Sequence, residues 1–373
     1  MDDNNPVIVK ERLDDLHMTQ EDLRSLSGYN KPFNFILSAR ECGKTTLCWL
    51  FLAYLSWERD ARPYIYLTRS CVEITEALIS SIFEVQINKW IDVPLVPIYN
   101  VSDFDKGIVD VYAMRNGERT LFVRIVSLSI KMRRIKLAVL RNCGGILMDE
   151  YVIDPRTDEK YVPNEAFKIK EAYTTWRREC PGTLKCWFLG NPYSLFNPLF
   201  MAWNVDAAKL IESKRKDSVY VGDTFLIKYA NVNPELRAKL LSENPLYVFD
   251  EDYSKYALEG NAVNDANIPL RPKQPEGFSL RFVFLVQDRY LGVFRGDRYE
   301  EGSFPFWVGF LTEVGARRTA FCLELEDLVG RSALLGVEER MRLRSFKDAM
   351  RMRRVEFSDV SVYYLCEEIY KSI

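Results

Sequence analysis

The chain of 373 residues contains a single histidine, His17, standing in an acidic N-terminal segment. That scarcity excludes Ser-His-Asp chemistry and any metal centre built on several histidines. Cysteine is scattered: the eight, at positions 42, 48, 71, 143, 180, 186, 322 and 366, form no C-x-x-C pair and read as reduced, mostly buried thiols of a cytosolic protein. No uninterrupted apolar stretch approaches the ~20 residues of a membrane span. The opening Met1-Asp2-Asp3-Asn4-Asn5 has no basic region followed by an apolar core, so a secretory signal is not expected either. Charge of one sign is also lacking. A net charge of −2 argues against a basic coat, so any contact with nucleic acid must come from local patches. Internal repeats and low-complexity tracts are absent. What is left is an ordinary globular composition, 47% hydrophobic and 28% charged, with length enough for two domains.

Against this background one run stands out: Ser38-Ala39-Arg40-Glu41-Cys42-Gly43-Lys44-Thr45-Thr46. It follows Phe33, Phe35, Ile36 and Leu37, which read as a buried parallel strand, and it precedes a breaker-free helical stretch over 45–55. This is the pattern of a phosphate-binding loop, whose backbone N–H groups curl around the β- and γ-phosphates of ATP while Lys44 reaches their oxygens and the Thr45 hydroxyl ligates Mg²⁺. Ser38 replaces the usual first glycine and is small enough for a tight turn. A second motif, Gly144-Gly145-Ile146-Leu147-Met148-Asp149-Glu150, is an apolar run ending in two carboxylates. A strand ending in this way offers Asp149 to the metal and Glu150 to the hydrolytic water. Further on, the strand at 185–189 ends at Gly190-Asn191-Pro192, which makes Asn191 a candidate γ-phosphate sensor beside the loop.

Strand and helix patterns alternate around these motifs. They comprise a helix over 19–26, a strand at 64–67, a helix carrying Ile74 to Phe83, an Asn116-Gly117 hairpin within 108–127, a helix over 164–178 and a strand at 224–229. The class is α/β, a P-loop ATPase domain of the additional-strand type over 1–233. Short helices at 234–241 and 253–258 make 234–265 a helical linker. Hairpins at 278–286, 290–294 and 304–311, followed by helices, make 266–373 a smaller α+β domain. Two basic clusters are candidate nucleic-acid contacts: Lys131, Arg133, Arg134 and Lys136, and, more strongly, Arg340, Arg342, Arg344, Lys347, Arg351, Arg353 and Arg354.

The phosphate loop, Asp149-Glu150-Tyr151, Tyr161-Val162-Pro163-Asn164-Glu165, the arginines ending the following helix and Leu189-Gly190-Asn191-Pro192 together resemble the DNA packaging ATPases of phi-29-like phages, relatives of the large terminase subunits. The resemblance extends into the second domain through 321–328 and a terminal helix over 357–370. It implies a ring-forming, pentameric motor that docks on the portal, or connector, of a procapsid in the host cytoplasm and drives double-stranded DNA inward, with a packaging RNA as a further partner. It also implies an arginine acting in trans on the neighbouring subunit's ATP, at Arg177 or Arg178. A one-residue length difference before Leu189 leaves both open. The second domain resembles the ribonuclease-H-like nuclease of large terminases, yet the strand at 278–286 carries no carboxylate and Asp288 falls in the turn after it, so cleavage is not expected. The competing readings are an active nuclease-motor and a monomeric P-loop kinase.

Overall fold

A computed structural model describes residues 18–39, 42–154, 159–180, 182, 184–193, 197–230, 234–243, 269–286, 289–296, 304–312, 318–323, 328, 330, 332–352, 354–359, 362–363, 365–366 and 369–370. His17, Arg40, Glu41, the helix at 253–258, Asp288 and Arg353 lie outside these. The chain divides into two compact units, Met1–Ala262 and Val263–Ile373. The described helix Pro234–Glu243 therefore falls within the first.

The first unit is built on β1 (Phe33–Ser38), β2 (Tyr64–Thr68), β3 (Ile108–Arg115), β4 (Glu118–Ser127), β5 (Gly145–Met148), β6 (Cys186–Gly190), β7 (Val219–Val221) and β8 (Phe225–Ala230). They form one eight-stranded sheet in the order β3-β4-β2-β5-β6-β1-β8-β7. The six central strands are mutually parallel, and β3 and β7 add antiparallel edges. β6 is thus the additional strand, inserted between the strand that enters the phosphate loop and the strand that ends at Asp149. β7 had no counterpart among the sequence expectations. Asn116 and Gly117, both at positive φ, make the tight turn between β3 and β4.

Both faces of the sheet are covered, which is why its strands read as continuous apolar runs. Phe35, Leu37, Ile65, Leu67, Ile146, Met148 and Phe188 pack on one side. Ile36, Tyr64, Tyr66, Leu147, Trp187 and Leu189 pack on the other. The helix after the phosphate loop forms, with a difference from the expected regular helix. Lys44–Leu47 is α-helical, Cys48–Tyr54 is π-helical and Leu55–Asp60 returns to α. The wider π turn narrows the arc over which Cys48, Trp49, Leu50, Ala53 and Tyr54 are spread, and all five are buried.

The second unit holds β9 (Phe278–Val286), β10 (Arg289–Gly296), β11 (Phe306–Leu311), β12 (Ala320–Cys322), β13 (Ser332–Leu334) and β14 (Val355–Phe357) in the order β13-β12-β9-β10-β11-β14. β9, β10 and β11 are an antiparallel meander, and β12 and β13 continue it parallel to β9. This is the ribonuclease-H-like order, with β14 added parallel to β11. The terminal helix does not begin at Phe357: among the described residues helix is found within 362–370. Phe357 is buried, pairs with Val308 and donates its N–H to the Pro269 carbonyl, so tertiary pairing makes it the end of a strand. No helix among the described residues is long and apolar enough to cross a membrane.

Candidate functional site

Because β1, β2, β5 and β6 are parallel neighbours, the segments leaving their C-terminal ends emerge along one edge of the sheet. Those segments are the phosphate loop, Arg69, Asp149-Glu150 and Asn191. Gly43 takes φ +77° just before the helix, a conformation that only glycine adopts freely. Lys44 is 8% exposed and donates from Nζ to Asn191 Oδ1 at 2.7 Å. The Thr45 hydroxyl donates to Asp149 Oδ2 at 2.6 Å. A hydroxyl and a carboxylate oxygen in contact, beside a buried ammonium, are the hard oxygen donors that suit Mg²⁺ on a phosphate chain. Thr46, by contrast, turns away and donates to Gln86 Oε1 at 2.6 Å, tying the loop's helix to the π-helical stretch Ser81–Val85.

Glu150 has φ +52°, a strained value for a residue with a side chain. Both of its backbone groups are held. Its N–H donates to Asp149 Oδ1 at 2.8 Å, and its carbonyl accepts from Arg69 Nη1 at 2.7 Å. Arg69 also donates to the Tyr151 carbonyl and, through Nε, to Glu165 Oε2 at 3.1 Å, while its guanidinium lies 5.1 Å from the centre of the Tyr161 ring. Glu165 is buried. Burial raises its carboxyl above the ordinary range, and the Arg69 charge and the Val162 N–H oppose that rise. Burial, and after it the carboxylates of Asp149 and Glu150, also push the Tyr66 hydroxyl well up.

Glu165 opens the helix Glu165–Trp176, whose C-terminal end carries Arg177 and Arg178. Both arginines are exposed and line a cleft of about 300 Å³ with Tyr173 and Thr174. At 1.5 Å per residue they stand roughly 18 Å along the helix from Glu165. Of the first basic cluster, Lys131, Arg133 and Arg134 are exposed, whereas Lys136 is paired with Glu171. In the second, Arg340, Arg342, Arg344 and Arg351 are exposed on the helices Val337–Arg342 and Arg344–Arg351. Arg342 pairs with Glu338, and Lys347 lies over the Tyr370 ring.

The sequence motifs that meet are therefore Lys44, Thr45, Asp149 and Asn191. Sequence reasoning gave no role to Arg69 or Glu165. An arginine directly after the buried run 64–68 was the available signal for the first, since that position faces the same sheet edge as the phosphate loop. Tyr151 explains the glycine of Leu189-Gly190-Asn191. A Cβ on Gly190 would meet the Tyr151 ring at 2.8 Å, so the close approach of the two strand ends requires its absence.

No protein-family model matches the chain, and no curated protein matches it in sequence. Solved structures do match in fold. The Phi-28 gp11 DNA packaging motor is 15% identical and aligns with a TM-score of 0.57 over 95% of this chain and 97% of its own. The bacteriophage Phi-29 viral genome packaging motor assembly is 16% identical, with a TM-score of 0.58 over 94% of this chain and 98% of its own. Over that span the chain thus shares the fold of these phage DNA packaging motor proteins.

Proposed function

We propose that this protein is the ATP-hydrolysing subunit of a motor that moves double-stranded viral DNA into a procapsid. The observation that carries the reading is the meeting of Lys44, Thr45, Asp149 and Asn191 at one sheet edge, in a chain that aligns over 94–95% of its length with the fold of packaging motors. Thr45 and Asp149 would hold Mg²⁺, which when bound neutralises phosphate charge and fixes the phosphate chain. Lys44 and the loop's backbone N–H groups bind the phosphates, and Glu150 orients and deprotonates the attacking water. The strained Glu150 backbone, held from both sides, fixes the point on the sheet edge from which that side chain leaves. Arg177 or Arg178 supplies charge to a neighbouring subunit's γ-phosphate, in keeping with their exposure at the far end of a 12-residue helix.

The assembly is a homo-oligomeric ring, pentameric by analogy, docked on the portal in the host cytoplasm, with a packaging RNA as a further contact. The second unit binds DNA through Arg340, Arg342, Arg344 and Arg351 and does not cut it, because the nine residues of β9 offer no carboxylate for a two-metal centre. ATP hydrolysis measured alone, with duplex DNA and with procapsids tests the reading. Stimulation by DNA and procapsids is expected, and hydrolysis indifferent to both would refute a translocating motor.

A further inference from the structure

Asn191, Pro192 and Tyr193 form a three-residue turn in which the Tyr193 N–H donates to the Asn191 carbonyl at 2.8 Å. Proline suits its centre, because the ring holds φ near the value such a turn requires. The turn carries the Tyr193 side chain back over Asn191, and the Asn191 amide donates from Nδ2 to the tyrosine hydroxyl at 2.9 Å. Lys44, Asn191 and Tyr193 are each 8% exposed, so this row of polar groups has little recourse to water.

An asparagine amide has one accepting and one donating end. Lys44 can only donate, so it must face Oδ1, as it does at 2.7 Å. The donating end then needs an acceptor on the opposite side, and the Tyr193 oxygen stands there. From this arrangement we infer that Tyr193 is a positioning residue for nucleotide binding: by accepting from the end of the amide opposite Lys44, it anchors the Asn191 side chain, and through it holds the Lys44 ammonium at the phosphate loop before ATP arrives. The inference rests on the reading of the loop as an ATP site and deepens it. It also gives Asn191 a task besides sensing the γ-phosphate, since in this state both ends of its amide are engaged within the protein.

The test is Tyr193→Phe in the full-length protein, which keeps the ring and removes one oxygen. Asn191 Nδ2 is then left buried without that acceptor, the amide is anchored at one end only, and Oδ1 holds Lys44 less firmly. The variant keeps the Lys44 ammonium for the chemical step and loses only its hold before ATP arrives, so the loss belongs in KM. KM for Mg²⁺-ATP should rise about five- to tenfold, the effect of one lost buried hydrogen bond, with kcat within about twofold. In an Asn191→Ala background there is no amide to anchor, and adding Tyr193→Phe should change KM by less than about twofold. A hydroxyl that serves only packing would lower the melting temperature and subtract equally in both backgrounds, and that result overturns the inference. A wild-type protein that hydrolyses ATP beside a Tyr193→Phe variant with unchanged KM overturns it alone. A wild-type protein that binds no ATP overturns the ATP-site reading together with it.

Discussion

Arg69→Ala is the perturbation for which the structure gives the largest consequence. The Arg69 side chain is 10% exposed and that of Glu165 is 0% exposed, so the mutation strands a carboxylate and two carbonyls that now share one guanidinium. Breaking a buried pair by removing one partner costs about 3–5 kcal/mol. Each kcal/mol moves the midpoint of a domain of this size by roughly 2–4 °C, so the unfolding transition of the first unit should fall by about 6 °C or more. The loss should depend on pH with a definite sign. Burial already raises Glu165 above the ordinary carboxylate range, and Arg69 is the largest influence opposing it. Without Arg69 the folded-state pKa rises further. A carboxyl with a raised folded pKa destabilises the folded state as pH climbs through that value. The deficit of Arg69→Ala should therefore be smallest near about pH 4.5, where the carboxyl can carry its proton, and largest near about pH 8. Adding Glu165→Gln should recover part of the loss at the higher pH and flatten the dependence. Calorimetry of wild type, Arg69→Ala and the double variant across this range measures all of this. An Arg69→Ala midpoint equal to wild type at pH 8, or a deficit that grows toward acid, refutes the reasoning. ATP hydrolysis by Arg69→Lys offers a second check. One ammonium cannot serve three acceptors in fork geometry, so turnover should fall even where the charge is kept.

Lys44→Ala should abolish ATP hydrolysis, because the phosphate oxygens lose their ammonium, whereas Glu150→Gln should bind ATP and fail to turn it over; unchanged steady-state rates in both would remove the assignment. Arg177→Ala and Arg178→Ala should differ, one losing turnover by orders of magnitude, and mixing that variant with Glu150→Gln protein should restore some activity, since an intact arginine of one subunit serves the intact Glu150 of the next. Full activity in both single variants would exclude these positions. Duplex DNA binding by the full chain should be salt-sensitive and sequence-independent, with Arg344→Ala and Arg351→Ala each lowering the salt slope by about one, and incubation with plasmid and Mn²⁺ should leave the DNA intact. Metal-dependent nicking would contradict the reading of the second unit.

Local pattern was enough to single out residues that the fold brings to one sheet edge. The phosphate loop, the Asp149-Glu150 strand end and Asn191 could be read because their signatures are set by near neighbours: an apolar strand, a glycine free to take positive φ, a carboxylate or amide at a strand tip. The strands β1, β2, β5, β6 and β8 were legible for the same reason, being buried on both faces and therefore largely apolar, with Asn34 and Lys228 interrupting β1 and β8. Short edge elements were not. β7, β13 and β14 have three residues each and owe their existence to a partner strand rather than to their own pattern, which is also why Phe357 read as helical. The loop's helix was placed correctly, but its π-helical middle follows from packing against the sheet. What only the tertiary structure decided is which side chains meet. Lys44 and Asn191 are 147 residues apart, and Arg69 and Glu165 are 96 apart. Their contacts depend on the order in which parallel strands are laid side by side, and no local propensity records that order. Asn191, Pro192 and Tyr193 lie between the two cases. The proline and the turn are local, but the reason the tyrosine must reach back appears only when Lys44 arrives on the other side of the amide.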